Sequence, residues 1–164
     1  YKRQQYGLPW ISAMPTNLYG PRDNFSALGS HVLPALIRRF DEARRDSSEV
    51  VTNWGTGTPR REFLHVADMA SACLHLLEHY DGPEHVNVGT GEDSTIKYIA
   101  EVVADEIGYS GRIEWDKSKP DGTPRKLLDV SKLRATGWSP SIGLREGISS
   151  TVAWYRDNVS SLRS

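Results

Sequence analysis

The sequence is poor in several things, and each shortage excludes something. Only one of its 164 residues is cysteine, Cys73, so no disulfide can form within the chain and a reducing, cytoplasmic setting is expected. Neither sign of charge dominates. The 20 Lys+Arg stand against 21 Asp+Glu, a net charge of −1, which argues against nucleic acid or a membrane surface as partner. No apolar run approaches the ~20 residues that cross a bilayer, and no basic-then-apolar leader is read at the start. Internal repeats and low-complexity tracts are missing too. With 25% charged and 38% hydrophobic residues the composition is that of a folded chain, and its length suits one domain with a core.

What is present reads as alternating short strands and amphipathic helices. Tyr1, Gln5 and Tyr6 resemble the last turn of a helix stopped by Gly7, which suggests a chain cut from something larger. Leu8–Ala13 reads as a strand, followed by a Pro/Gly/Asn/Ser-rich loop to Ser30. Ser30 is placed to cap a helix over His31–Arg45, whose Val32, Leu33, Leu36, Ile37 and Phe40 recur at helical spacing. Val50–Trp54 and Glu62–Val66 read as strands. A helix from Asp68 to Tyr80 is expected to bury Met69, Ala72, Cys73, Leu76, Leu77 and Tyr80. HVNVG is a short buried strand. Ser94 or Thr95 then caps a helix to Ile107 that turns Ile96, Ile99, Ala100, Val103 and Ile107 inward. RIEW is a strand, LLDVSKL leads into a short helix, and the last helix runs from Leu144 to Val159 with Ile148, Val152 and Tyr155 inside. The fold class is α/β, without a complete doubly wound sheet.

The loops carry the chemistry. Asn17, Tyr19, Asp23 and Asn24 follow the first strand, where α/β proteins place ligands; the same residues also suit a plain turn. Arg38, Arg39, Arg60 and Arg61 offer planar forks of donors for phosphate oxygens, although adjacent arginines on a helix point about 100° apart, so only one of the first pair can face a site. Trp54 precedes GTGTP and can stack on a base or sugar. His31 opens a helix beside the loop and suits proton donation, or a structural role. His75, Glu78 and His79 spell H-x-x-E-H, but no third carboxylate ligand is evident and no metal site is expected. GTGTP and GTGEDS lack the glycine spacing and lysine of phosphate loops. Asn24-Phe-Ser and Asn158-Val-Ser fit the glycosylation pattern by chance, and Cys73 is read as packing.

Taken in order, PTNLYGPRDNF, SHVLPALIRRF, WGTGTPRREFLHVADMA, HVNVGTG and SKPDGTPRKLLDVSKL resemble the GDP-L-fucose synthase family of the extended short-chain dehydrogenase/reductase superfamily. NLYGP and REFLHVADM point to nucleotide-sugar epimerases and dehydratases at large, whereas SHVLPALIRRF and SKPDGTPRK are more particular to the fucose enzymes. The resemblance implies a 3,5-epimerisation of GDP-4-keto-6-deoxy-D-mannose followed by NADPH-dependent reduction of its 4-keto group. It puts Pro15, Thr16, Asn17 and Leu18 beside the nicotinamide end of NADP(H). His31 becomes the proton donor of epimerisation, near the cofactor, and Arg39, Trp54, Arg61 and Asp121 become GDP-sugar contacts.

The resemblance also implies what this stretch leaves out. The family's glycine-rich dinucleotide fingerprint, its Tyr-x-x-x-Lys pair and its catalytic cysteine are expected upstream of Tyr1; Cys73 does not match that cysteine, and Tyr1 has Gln5 where the pair needs Lys. The chain is therefore expected to be the carboxyl-terminal portion of an NAD(P)-binding Rossmann enzyme, inactive alone. Residues 1–30 and about 62–90 would be the Rossmann side, and about 31–61 and 91–164 the substrate side. The full-length parent would be a homodimer. The alternatives are another nucleotide-sugar epimerase or dehydratase of the superfamily, or a non-catalytic nucleotide-sugar-binding module.

Overall fold

Apolar residues at helical spacing decide three of the long helices. In the computed structural model, which describes residues 2–27 and 29–162, α2 (Val32–Arg45), α4 (Ile96–Ile107) and α6 (Leu144–Asn158) press their apolar faces into one core. Leu33, Ile37, Phe40, Ile99, Val103, Ile148, Val152 and Tyr155 are buried there. The expected inward residues of the last helix are confirmed, and the helix tightens to a 3₁₀ turn over Val159–Ser161. Pro34 sits in the first turn of α2, where a missing N–H costs nothing. Asp41, on the same helix, is enclosed by Arg44, Arg45 and Arg156, the last reaching across from α6 at 3.6 Å.

Thr95 caps α4 by accepting the Tyr98 N–H at 3.1 Å, as its sequence position suggests, and Gly108 ends it in the left-handed conformation at φ 72°. The cap of α2 is not Ser30. His31 occupies that position with extended backbone and no side-chain cap bond, because the helix begins at Val32.

A short opening helix, α1 (Lys2–Tyr6), ends at Gly7, whose N–H reaches Arg3 O at 2.9 Å and whose φ is 65°. Tyr1, expected in the same turn, lies outside the described residues. The first strand is displaced from Leu8–Ala13 to β1 (Ala13–Pro15) and β2 (Asn17–Tyr19). Pairing sets this register. β1 runs parallel to β6 (Val86–Val88) with Ala13 facing Val86, and of the residues before it Ser12 still accepts the Val86 N–H at 2.8 Å. β2 runs parallel to β5 (Phe63–His65). Thr16 is the joint between the two, its N–H donating to Val88 O at 3.0 Å.

β3 (Val50–Trp54) pairs in parallel with β8 (Arg112–Asp116), and β4 (Arg60–Arg61) lies between β7 (Ser94–Thr95) and β9 (Arg125–Lys126). The expected strand Glu62–Val66 is thus interrupted at Glu62, whose side chain turns inward, and its last residue joins the next helix.

A second, smaller core lies under α3 (Val66–His79). Leu64, Ala72, Leu76, Val86, Val88, Leu133 and Trp138 form it, Leu133 coming from the short helix α5 (Ser131–Ala135). Leu77, expected inside, is 71% exposed. Leu77 stands about 100° round the helix from the buried Leu76, away from the strands that α3 packs on. None of the described helices is long and apolar enough to cross a membrane.

Candidate functional site

The strand β1–β2 and the start of α2 frame a cavity of about 430 Å³. Its lining holds Pro15, Thr16, Asn17 and Leu18 together with His31, and adds Tyr19, Arg22, Asp23 and Val66. Every residue that the sequence places near the nicotinamide therefore shares one wall with the candidate proton donor.

That wall is braced from behind by Glu62. Its backbone carbonyl accepts Asn17 Nδ2 at 2.7 Å and Thr16 Oγ1 at 3.3 Å. Its buried carboxylate accepts the N–H of Gly91 at 2.7 Å and of Leu128 at 3.1 Å. With its amide nitrogen so engaged, Asn17 has its Oδ1 to offer as an acceptor. Asp23 lines the cavity as well. Burial lifts its carboxyl, against the backbone N–H of Asn24 and the charge of His31, which act the other way. Tyr19 is buried under the cavity floor, its phenol pushed up by burial first and by Asp68 and Glu146 next.

A second cavity of about 170 Å³ opens on the other side of the α2 N-terminus. Val32, next in the chain to His31, lines it with Trp54, Arg61, Asp121, Gly57 and Pro59. Three of the four residues expected to touch substrate are thus together. Trp54 is 73% exposed, and Lys119 stands over its ring with Nζ 5.9 Å from the centroid. Arg61 Nη1 donates to Thr123 O at 2.6 Å, and the parallel register sets Lys126 beside Arg61.

Arg39 is the exception. It lines neither cavity, and its guanidinium donates to Asn53 Oδ1 at 3.0 Å and to Thr52 O. Arg38 is paired with Glu42 at 2.8 Å. Arg60 and Arg125 are spent on the enclosed carboxylate of Asp93, which they hold below the usual carboxylate range, Arg125 foremost.

Sequence reasoning missed Glu62 and Lys126. Glu62 left no signal, since a carboxylate in a strand-like run normally faces solvent. Lys126 was readable only through the β4–β9 pairing. The two histidines of H-x-x-E-H engage each other and the end of α5: His75 Nε2 lies 3.0 Å from Thr136 O, and the two imidazoles stack at 4.1 Å. No cluster of three or more metal-ligating side chains occurs among the described residues.

Strand ends and a helix N-terminus line both cavities, which is where α/β folds bind ligands. The chain belongs to the NAD dependent epimerase/dehydratase family, whose model matches residues 1–89. Within it, the chain is 56% identical over 161 residues to "Probable GDP-L-fucose synthase 1" of Oryza sativa subsp. japonica, covering 98% of this chain and 49% of that protein. It is 52% identical to the GDP-L-fucose synthase of Escherichia coli (strain K12), covering 94% of this chain and 51% of that protein. A GDP-L-fucose synthetase from Naegleria fowleri, solved with NADP bound, superposes with a TM-score of 0.88 at 30% identity, over 94% of this chain and 49% of that one. The chain therefore spans about half the length of the curated relatives it matches.

Proposed function

We propose that this chain is the carboxyl-terminal, substrate-binding portion of a GDP-L-fucose synthase. The whole protein would convert GDP-4-keto-6-deoxy-D-mannose to GDP-L-fucose by 3,5-epimerisation and NADPH-dependent reduction. The observation that carries this reading is the placement of His31 and Val32. Adjacent residues at the start of α2 line two cavities, one walled by Pro15–Leu18 and the other by Trp54, Arg61 and Asp121. A sugar held between them would meet His31, and its diphosphate would meet Arg61 with Lys126 beside it.

The residues present suit one end of the cofactor only. Asn17 Oδ1 and the backbone of Pro15–Leu18 suit a flat, amide-bearing ring, while no glycine-rich loop for a dinucleotide diphosphate occurs in the sequence given. When bound, NADPH supplies the hydride. The chain's own residues orient the sugar and move protons: His31 is read as the donor to the carbon being inverted, Asp23 as its charge partner, and Arg61 as the anchor that stops the diphosphate from sliding. Trp54 is read as the platform for base or sugar, and Asp121 as the wall facing it. Arg39, turned to β3, is read as reaching substrate only by leaving Asn53 and Thr52.

We also read residues 1–30 and about 62–90 as the cofactor-side part and the remainder as the substrate side. The single cysteine and the composition support a cytoplasmic protein, and the full-length protein is read as a homodimer on its family resemblance. Calorimetric titration of the chain with GDP, UDP and dTDP tests the reading. GDP is expected to bind most tightly, with loss of roughly tenfold or more on Arg61→Ala. Equal affinity for the three nucleotides would overturn the sugar-nucleotide assignment, and binding indifferent to Arg61 would overturn the site.

A further inference from the structure

The segment between β8 and β9, residues 117–124, crosses the end of the β3–β8 pair and is stitched to the loop that follows β3. Thr56 N–H donates to Asp121 Oδ1 at 2.8 Å, and Thr56 Oγ1 donates to Asp121 Oδ2 at 2.7 Å. Arg60 N–H donates to Pro124 O at 2.8 Å, and Arg61 reaches Thr123 O. A hydroxyl has one hydrogen and two lone pairs. Having given its hydrogen to Asp121, Thr56 Oγ1 takes the Thr58 N–H at 3.2 Å and the Thr58 hydroxyl at 2.7 Å, so its capacity is full.

The backbone is shaped to allow this. Gly55 has φ 80°, and a Cβ there would lie 2.2 Å from Asp121 Oδ1. Gly57 has φ 73°, and a Cβ there would lie 2.8 Å from the Trp115 ring. Gly55 is required for the loop to press against Asp121, and Gly57 for it to press against Trp115 of β8. Each oxygen of Asp121 meets Thr56, and the bonds from Thr56 hold the carboxyl below its usual range. What Asp121 does for the cavity therefore depends on Thr56.

We propose that Thr56 is a positioning residue for nucleotide binding: its hydroxyl fastens Asp121, and with it residues 117–124, over Trp54 and Arg61, fixing the width of the smaller cavity. This rests on the nucleotide-sugar reading above. Freed from Thr56, the segment carrying Lys119 and Gly122 moves off Trp54 and Arg61, and the ligand must order it on binding.

The test compares Thr56→Val, Thr56→Ser, Asp121→Ala and the double variant Thr56→Val/Asp121→Ala in the 164-residue chain, titrated with GDP. Losing a hydrogen bond to a charged group is expected to weaken GDP binding about tenfold in Thr56→Val. Thr56→Ser, which keeps the hydroxyl, should bind like the parent, and the double variant should bind no more weakly than Asp121→Ala. Parental affinity in Thr56→Val, or losses that simply add in the double variant, overturns the proposal. If the parent chain takes no GDP, the nucleotide reading fails by itself, and hydrogen exchange then decides the latch. Exchange at residues 55–58 and 120–124 should quicken in Thr56→Val and not in Thr56→Ser, and equal rates in the two variants overturn it.

Discussion

The carboxylate of Glu62 and the backbone N–H of Gly91 are joined by a 2.7 Å hydrogen bond inside the protein. The same carboxylate takes the N–H of Leu128, and the same residue's carbonyl holds Asn17 and Thr16. Gly89 leaves the room, since a Cβ there would stand 2.2 Å from Glu62 Oε1. Glu62→Gln replaces one acceptor with an NH₂ that faces a backbone donor. The expected cost is about 2–4 kcal/mol, from a charge-assisted bond lost and a donor left buried, and a midpoint lower by roughly 5–15 °C. Thermal unfolding of the variant checks it, and a midpoint within 2 °C of the parent contradicts it.

His65 makes stability depend on pH near neutrality. It caps α3 by accepting the Ala67 N–H on Nδ1 at 3.3 Å, and its buried Nε2 has no hydrogen-bond partner among the described residues. Burial lowers its pKa, and the charges of Asp68 and Glu146 offset this only in part. A base whose folded pKa lies below its unfolded value of about 6.5 binds more protons when unfolded. Stability is then full above about pH 6.5 and declines as pH falls through the folded value. His65→Asn keeps an N-cap acceptor without the titration. The fall in midpoint between about pH 7.5 and 5.5 is expected to be smaller in that variant; identical slopes would show that His65 does not titrate in this window.

The long helices were legible because burial there follows one rule. Leu33, Ile37, Phe40, Ile99, Val103 and Ile148 recur at the helical period and meet a single core. Thr95 was legible as a cap because its hydroxyl precedes an apolar stripe. The grouping of Pro15–Leu18 with His31, and of Trp54 with Arg61 and Asp121, was visible only through family resemblance; spacing along the chain does not bring residue 54 to residue 121. What failed did so where a tertiary partner decides. The first strand moved because β6 sets its register, Leu77 stayed outside because it lies about 100° round α3 from the buried Leu76, and Glu62 turned inward to meet backbone donors separated from it by up to 66 residues.

Exposed leucines on α3 bear on behaviour in solution. Leu74 and Leu77 are 66% and 71% exposed, and Met14 of β1 is 54% exposed. Parallel strands are normally covered on both faces, and apolar surface left open promotes association. The chain by itself is expected to self-associate at micromolar concentration, and Leu74→Lys with Leu77→Lys to shift it toward monomer while changing stability by less than about 1 kcal/mol. Light scattering coupled to size exclusion reads the first effect and thermal unfolding the second. A parent chain that stays monomeric would mean these leucines are too scattered to form a patch.

Tyr19 and Gly147 make the sharpest prediction about the cleft floor. Glycine in the middle of a helix costs about 1 kcal/mol relative to alanine, yet α6 keeps one facing the Tyr19 hydroxyl, which donates to Leu144 O at 3.4 Å. A Cβ at Gly147 would lie 2.1 Å from that hydroxyl and 2.9 Å from the ring carbon bearing it. Both residues are buried, and Tyr19 lines the cavity that holds Asn17 and His31. Gly147→Ala should therefore reverse the usual sign, destabilising by roughly 1–3 kcal/mol as overpacking does, and it should displace the Tyr19 phenol. Tyr19→Phe removes the nearest atom but not the ring carbon, so the double variant should recover part of the loss and not all of it. Thermal unfolding of the two single variants and the double variant measures that coupling. A stabilising Gly147→Ala, or full additivity with Tyr19→Phe, would mean that helix propensity and not the phenol selects glycine at this position.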